Sequence, residues 1–355
     1  MRKKKVLIVD DSALMRQMLT DILGSAPDLD VVGAAPDPYV AREMIKQLNP
    51  DVITLDVEMP RMDGLEFLEK IMTLRPTPVV MISSLTKANA EVTVRALEAG
   101  AVDYVQKPTR VARDGYGDME DEIIARVRTA SRARVHPVAM PHVTIAETEG
   151  FARDRLIAIG ASTGGVSAIA HILSELPANT PPVAIVQHMP REYTAGFARR
   201  LDSRSKLTVM EARDNLPLEP GLAAVAPGDT HLRIKQVGAQ YRCVLSTEDK
   251  IQGHRPSVDA LFSSVAEQLG AHAVGVILTG MGRDGAGGLL KILQAGGRTI
   301  GQDEATATVY GMCGAAFQIG AVEMQLPITE IARAICQITT SRCPVTASAT
   351  QYRHV

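Results

Sequence analysis

The chain has 355 residues, too many for one ordinary hydrophobic core, so two domains are the default expectation. A formal net charge of -2, with no Lys/Arg block interleaved with aromatics, argues against nucleic acid as a partner. Cys243, Cys313, Cys336 and Cys343 fit neither zinc spacing nor a small disulfide framework, which suits reduced thiols in a cytoplasm.

Met1-Arg2-Lys3-Lys4-Lys5 starts like an export signal, but Asp10 and Asp11 cut the following apolar run short. No stretch approaches the ~18 apolar residues that a membrane span needs. Val6-Leu7-Ile8-Val9 reads as a buried parallel strand followed by a helical pattern over 15–23. The alternation repeats, with strands at 31–32, 52–55, 79–82 and 104–105 and helices over 39–48, 65–74 and 90–99, the last closed by Gly100. Five strands alternating with helices predict a doubly wound parallel sheet.

In such a sheet the carboxyl ends of the strands share one edge. That edge gathers Asp10 and Asp11, Asp56, Ser83 and Lys107. Crowded carboxylates repel one another unless a cation sits among them, and oxygen ligands of this kind suit Mg²⁺. Lys107 adds a fixed positive charge and Ser83 a hydroxyl, a site for phosphoryl transfer onto a carboxylate nucleophile, most plausibly Asp56. One such aspartate is ordinarily a solvated loop charge; five matching positions are not.

The pattern resembles the response-regulator receiver domain. The likeness is carried by Val9-Asp10-Asp11-Ser12, Leu55-Asp56-Val57-Glu58-Met59-Pro60-Arg61-Met62-Asp63-Gly64, Ile82-Ser83-Ser84 and Gln106-Lys107-Pro108. It implies that a partner histidine kinase phosphorylates Asp56 and that Asp11, Asp56 and the Glu58 carbonyl hold Mg²⁺, with Asp10 beside them. It also implies that Ser83 and Tyr104 shift on activation and that the Lys107–Pro108 bond is cis.

After a last receiver helix over 119–133, Pro137 and Pro141 with little periodicity mark a linker, in which His136 and His142 read as plain linker histidines. Beyond it, strands are expected at 156–159, 183–186, 223–225, 241–245, 273–278 and 298–300. Helices are expected over 166–176, 194–202, 258–269 and 285–295. This is a second α/β sheet of Rossmann-like type, whose site should lie outside the carboxyl ends of its strands.

Those ends carry Ser162, His188 and Asp284. Ser162 stands in Gly160-Ala161-Ser162-Thr163-Gly164-Gly165, between a strand and the first turn of a helix. There backbone N–H groups and the helix dipole favour developing negative charge. Serine is also a preferred N-cap, so Ser162 read alone is equally a cap; His188 alone is a structural histidine and Asp284 alone a turn residue. Together they form a nucleophile, a base and an orienting carboxylate.

Gly160-x-Ser162-x-Gly164 matches the nucleophile elbow, but the order serine, histidine, aspartate departs from that of an α/β-hydrolase. Dinucleotide binding would want an acid at the end of the next strand, where Gln187-His188 stands.

These residues, with Gln187-His188-Met189-Pro190, His254-Arg255-Pro256-Ser257-Val258-Asp259 and Thr279-Gly280-Met281-Gly282-Arg283-Asp284-Gly285, resemble the chemotaxis protein-glutamate methylesterase family. The likeness divides the chain into a receiver (1–125), the end of its last helix with a linker (126–150), a catalytic domain (151–340) and a polar tail (341–355). It implies hydrolysis of glutamate γ-methyl esters on the cytoplasmic helices of chemoreceptors, and deamidation of receptor glutamines. Ser162 would be nucleophile, His188 base and Asp284 its partner, with backbone N–H groups near Thr163, Gly164 and Met281 lining the oxyanion site and no metal at the esterase centre.

The receiver would cover the cleft until phosphorylated. Cys313 departs from the family, which usually has proline there, and from residue 339 onward the chain reads as disordered. The competing class is a non-enzymatic output module behind a receiver.

Overall fold

The computed structural model describes residues 2–84, 87–107, 116–135, 151 and 154–340. The chain divides into two compact units, Met1–Ala139 and Met140–Val355.

The first unit runs β1 (Lys4–Val9), α1 (Ala13–Gly24), β2 (Leu29–Ala35), α2 (Pro38–Leu48), β3 (Val52–Asp56), α3 (Gly64–Leu74), β4 (Val79–Ser83), α4 (Lys87–Glu98), β5 (Asp103–Gln106) and α5 (Tyr116–Ala130). Its five strands lie in the order β2-β1-β3-β4-β5, every pair parallel. The order reverses at β1, so the carboxyl ends of β1 and β3 flank the crevice where such sheets bind ligands.

Val6, Ile8, Val52, Val80 and Ile82 pack with Leu19, Ile22 and Leu23 of α1 and Ile123 and Val127 of α5. Short polar residues start the helices. Ser12 accepts from the Met15 amide, Asp37 from those of Tyr39 and Val40, and Asp63 from that of Glu66. At Gly64 a Cβ would sit 2.0 Å from the Asp56 carbonyl oxygen, so only glycine lets α3 start this close to the strand that carries Asp56.

The second unit continues with β6 (Leu156–Ala161), α6 (Gly165–Glu175), β7 (Val183–Gln187), α7 (Arg191–Asp202), β8 (Thr208–Glu211), β9 (Pro217–Leu218), β10 (Leu222–Val225), β11 (His231–Val237) and β12 (Gln240–Ser246). Then come α8 (Val258–Leu269), β13 (Ala273–Ile277), α9 (Ala286–Gln294), β14 (Arg298–Gln302), α10 (Met312–Gln318), β15 (Met324–Leu326) and α11 (Ile328–Thr339). A seven-stranded parallel sheet has the order β15-β14-β13-β6-β7-β10-β8. From β6 the chain moves out through β7 to one side, while β13 returns to its other side, so the β6/β13 boundary is the switch point.

The strand expected over 241–245 forms but does not join that sheet. As part of β12 it pairs antiparallel with β11, and β9 completes a separate three-stranded sheet. The pattern explains the difference: Leu232 and Ile234 are buried while Lys235 is exposed, the alternation of a ribbon with one wet face. The buried face packs on Leu261 and Val265 of α8.

The helix α11, unassigned in the sequence reading, repeats Ile328, Ile331, Ile335 and Ile338 after Pro327 and is buried along that stripe. Thr339 is fully buried at its end and donates to the Ile335 carbonyl, and Thr340 bridges Phe151. Order therefore extends past residue 339, where a disordered tail had been expected. Residues 341–355, His136, His142 and the Lys107–Pro108 bond lie outside the described residues.

Candidate functional sites

In the first unit, β1 ends at Asp10 and Asp11 and β3 ends at Asp56. Ligand oxygens of these three residues lie within 4.8 Å of one another. Asp10 and Asp56 are buried while Asp11 is exposed. From the end of β5, Lys107 donates to Asp56 Oδ2 at 2.7 Å and stands 3.5 Å from Asp10 Oδ2. That Asp10 oxygen is buried and accepts no hydrogen bond.

Burial pushes the Asp56 pKa up; the Lys107 hydrogen bond opposes this and neighbouring Asp10 adds to it, leaving it at about 6. Asp10 is likewise raised, burial outweighing Lys107. One half-buried lysine is thus shared by two buried carboxylates, with an orphaned oxygen and an exposed third acid at the rim. Negative charge exceeds its compensation, and hard oxygen donors of this kind fit a divalent cation such as Mg²⁺.

The remaining expected receiver residues lie nearby along the sheet edge. Ser83, fully buried at the end of β4, accepts from Thr93 Oγ1 of α4 at 3.0 Å. Tyr104 of β5 is buried, with the Arg126 guanidinium 5.5 Å from its ring centroid. Glu58 donates its amide to Asp56 Oδ1 at 3.2 Å and its side chain is exposed, apart from the acidic trio.

In the second unit Ser162, His188 and Asp284 sit just past the carboxyl ends of the adjacent strands β6, β7 and β13. The Ser162 amide donates to the Thr279 carbonyl at 3.0 Å, and the His188 amide donates to the Ala161 carbonyl at 3.1 Å. The serine is therefore tied to both neighbouring loops. It does not cap a helix: α6 is capped by Gly164 at φ +78°, with no side-chain cap bond. The alternative of Ser162 as an N-cap is overturned, because the chain turns for two residues before α6 begins.

The Asp284 carboxylate organises the site. Oδ2 meets His188 Nε2 at 2.8 Å and accepts from the Val258 amide at 2.7 Å; Oδ1 accepts from Ser257 Oγ at 2.8 Å and the Asp259 amide at 3.0 Å. The aspartate thus sits on the N-terminus of α8, among its first N–H groups. Burial alone would raise its pKa, but the His188 hydrogen bond and charge, with the α8 amides, bring it below the ordinary carboxylate value.

An ionised carboxylate only accepts, so the proton of a neutral His188 lies on Nε2 and the lone pair on Nδ1. Nδ1 is buried and has no hydrogen-bond partner among the described residues, Ser162 included. The carboxylate–imidazole link is formed and the imidazole–hydroxyl link is open, as is common before substrate binds.

Two peptide planes beside Ser162 are pinned by their carbonyls. The Ser162 carbonyl accepts from the Gly165 amide at 2.7 Å and from Gln187 Nε2 at 2.9 Å. The Gly280 carbonyl accepts from the amides of Gly311 and Met312 at 3.1 and 2.9 Å. In a trans peptide the following N–H points away from the carbonyl, so the Thr163 and Met281 N–H groups are each aimed off these anchors. A Cβ on Gly280 would come 2.7 Å from that of Ser162, which shows how closely the two loops approach.

Cys313 lies buried in the first turn of α10, Sγ facing the Ile277 carbonyl at 3.5 Å, and burial pushes its thiol up to about 12. The helix forms without the family's proline.

Gln187, Ser257 and His254 had no assigned role in the sequence reading. The His254 ring stacks on that of His188, centroids 3.8 Å apart and planes 9° from parallel. Nothing local in the sequence signals a contact across 66 positions.

The arrangement defines a class: a receiver and, in the same chain, a parallel-sheet hydrolase with serine, histidine and aspartate gathered at its switch point. Residues 6–113 match the family profile described as response regulator receiver domain, and residues 157–335 match that described as CheB methylesterase. The chain belongs to the CheB methylesterase family and is a hydrolase.

Relatives bearing the name protein-glutamate methylesterase/protein-glutamine glutaminase include a Nitrosomonas europaea protein, 52% identical over 344 residues, covering 94% of this chain and 96% of its own length. A Caulobacter vibrioides protein is 53% identical over 348 residues, covering 96% and 100%. The crystal structure of the Thermotoga maritima CheB methylesterase catalytic domain is 39% identical, with TM-score 0.51, covering 52% of this chain and 98% of that one. Among the described residues no helix is long and apolar enough to cross a membrane.

Proposed function

We propose that this chain is a phosphorylation-gated serine esterase and amidase that removes methyl groups from glutamate γ-methyl esters of chemoreceptors and deamidates receptor glutamines in the cytoplasm. The observation that carries the catalytic half is the 2.8 Å bond between His188 Nε2 and a four-times-bonded Asp284, which leaves Nδ1 as the base beside Ser162.

In this reading Ser162 Oγ attacks the ester carbonyl carbon as its proton passes to His188 Nδ1. The oxyanion accepts from the Thr163 and Met281 amides, with Gly164 giving the backbone room to approach; removing one such donor typically costs ~10²–10³ in turnover. Imidazolium then protonates the leaving methoxide, which departs as methanol. Water, deprotonated by the same nitrogen, cleaves the acyl-serine to free glutamate. With a glutamine substrate the leaving group is ammonia and the product is again glutamate.

For the first unit we infer that Asp56 takes the phosphoryl group from a histidine kinase, with Lys107, Ser83 and Tyr104 reading its arrival. Asp10, Asp11 and Asp56, with the Glu58 carbonyl, would hold Mg²⁺, which when bound supplies charge neutralisation for the incoming phosphoryl oxygens. The buried, unbonded Asp10 oxygen supports that ligand set. The serine half of the reading is tested by a serine-reactive fluorophosphonate: the wild-type chain should be labelled and Ser162→Ala should not. Equal labelling of both would remove the esterase assignment.

A further inference from the structure

The His188–Asp284 bond fixes one end of the imidazole and leaves one freedom. The ring can still tilt about the line from Cβ to Nε2, and Nδ1 lies off that line, so tilting swings the basic nitrogen. A face-to-face plate is what restrains a tilt, and the His254 ring lies on the His188 ring at 3.8 Å and 9°.

The segment carrying His254 is itself held. Ile251 and His254 exchange backbone hydrogen bonds at 3.1 and 2.9 Å around Gln252 and Gly253, whose φ values are +50° and +84°. Two successive positive φ values make a tight primed turn, a rigid mount for the residue that leaves it. Next along the chain, Arg255 donates to the carbonyls of Thr247 and Glu248, both at 3.0 Å. Two residues further, Ser257 donates to Asp284 Oδ1. One carboxylate thus grips His188 directly and, through Ser257, the strap that carries the second ring.

We propose that His254 is a positioning residue for the esterase reaction: stacked on His188, it holds Nδ1 aimed at the serine hydroxyl. This rests on the reading of Ser162, His188 and Asp284 given above. The same plate presents a ring face to the imidazolium that forms as the serine gives up its proton, an attraction absent while His188 is neutral. Both effects favour the transition state over bound substrate, so the loss of His254 appears in kcat rather than in KM.

The test uses the full chain and a synthetic peptide carrying one glutamate γ-methyl ester. His254→Ala is expected to lower kcat about tenfold, the order that an aromatic pair supplies, with KM within about twofold of wild type. His254→Phe, which keeps a flat ring but no nitrogen, is expected to recover most of that loss.

A second readout needs no turnover. With ring-labelled histidines, the His188 Cε1–H resonance should lie upfield in wild type and His254→Phe, shielded by the facing ring, and move downfield in His254→Ala. Wild-type kcat in His254→Ala overturns the proposal, as does an unmoved His188 resonance. A His254→Phe variant as impaired as His254→Ala also overturns it, because the imidazole nitrogens and not the plate would then matter. Fluorophosphonate labelling keeps the two levels apart: a wild-type chain without a reactive Ser162 fails the esterase reading itself, whereas a labelled wild type with an indifferent His254 fails only this proposal.

Discussion

Asp56 and Asp284 are both buried carboxylates, and their surroundings drive them in opposite directions. Asp56, raised to about 6 chiefly by burial, takes up a proton on folding between its ordinary value and that pH. Its ionised form therefore costs stability, a cost absent below about pH 4 and complete above about 6. Asp56→Asn should raise the melting temperature of the first unit by a few degrees at pH 8 without added Mg²⁺ and leave it unchanged near pH 4. Millimolar Mg²⁺ should narrow the gap by stabilising the wild type. Scanning calorimetry at the two pH values reads both effects, and identical melting at pH 8 would contradict the charge imbalance.

Asp284, held below its ordinary value, contributes stability above about pH 4 that fades as the pH falls further. Asp284→Asn keeps the shape but offers the imidazole an amide that can donate, inviting the wrong tautomer. Turnover of the methyl ester should drop on the order of 10³-fold or more while the fold survives at pH 7. A loss of less than tenfold, with circular dichroism unchanged, would deny Asp284 its orienting role.

The elements that carry the sites were readable where the sequence makes a local commitment. β1, β3, β6 and β13 are short apolar runs ending in polar residues, and the helices after them start on recognisable caps or glycines. The edge of each sheet was therefore predictable down to Asp10, Asp11, Asp56 and Lys107. The gathering of Ser162, His188 and Asp284 followed from placing their strands in one sheet.

Contacts that depend on a third element were not readable. The α8 amides join His188 in keeping Asp284 charged, and only the turn at 251–254 brings His254 onto His188. The ribbon β11–β12 was half seen, because one strand alone does not reveal which sheet it joins. Ser257→Ala tests the element scale. It removes the N-cap of α8 and one donor to Asp284, so it should cost about 1–2 kcal/mol of stability and lower kcat severalfold in the same variant. Thermal melting with parallel kinetics would reveal whether the two losses travel together; a destabilised but fully active variant would separate the cap from the role proposed for Asp284.

At the scale of the whole molecule, two parallel sheets each present their chemistry at the carboxyl edge, one suited to receive a phosphoryl group and the other to hydrolyse an ester. The proposed coupling predicts that a small-molecule phosphodonor stimulates esterase activity of the full chain and has no effect on Asp56→Asn. A fragment starting near Gly150 should be at least as active as the unphosphorylated whole, by the same peptide assay. A fragment less active than the parent would remove the inhibitory role assigned to the first unit.

The double duty of Asp284 also bears on how such an enzyme is dismantled. A protease that cuts between the 251–254 turn and α8 leaves Asp284 on one piece with the α8 amides and His188 on the other. Once the pieces part, neither holds both the imidazole and its carboxylate, so a single nick there ends the hydrolase.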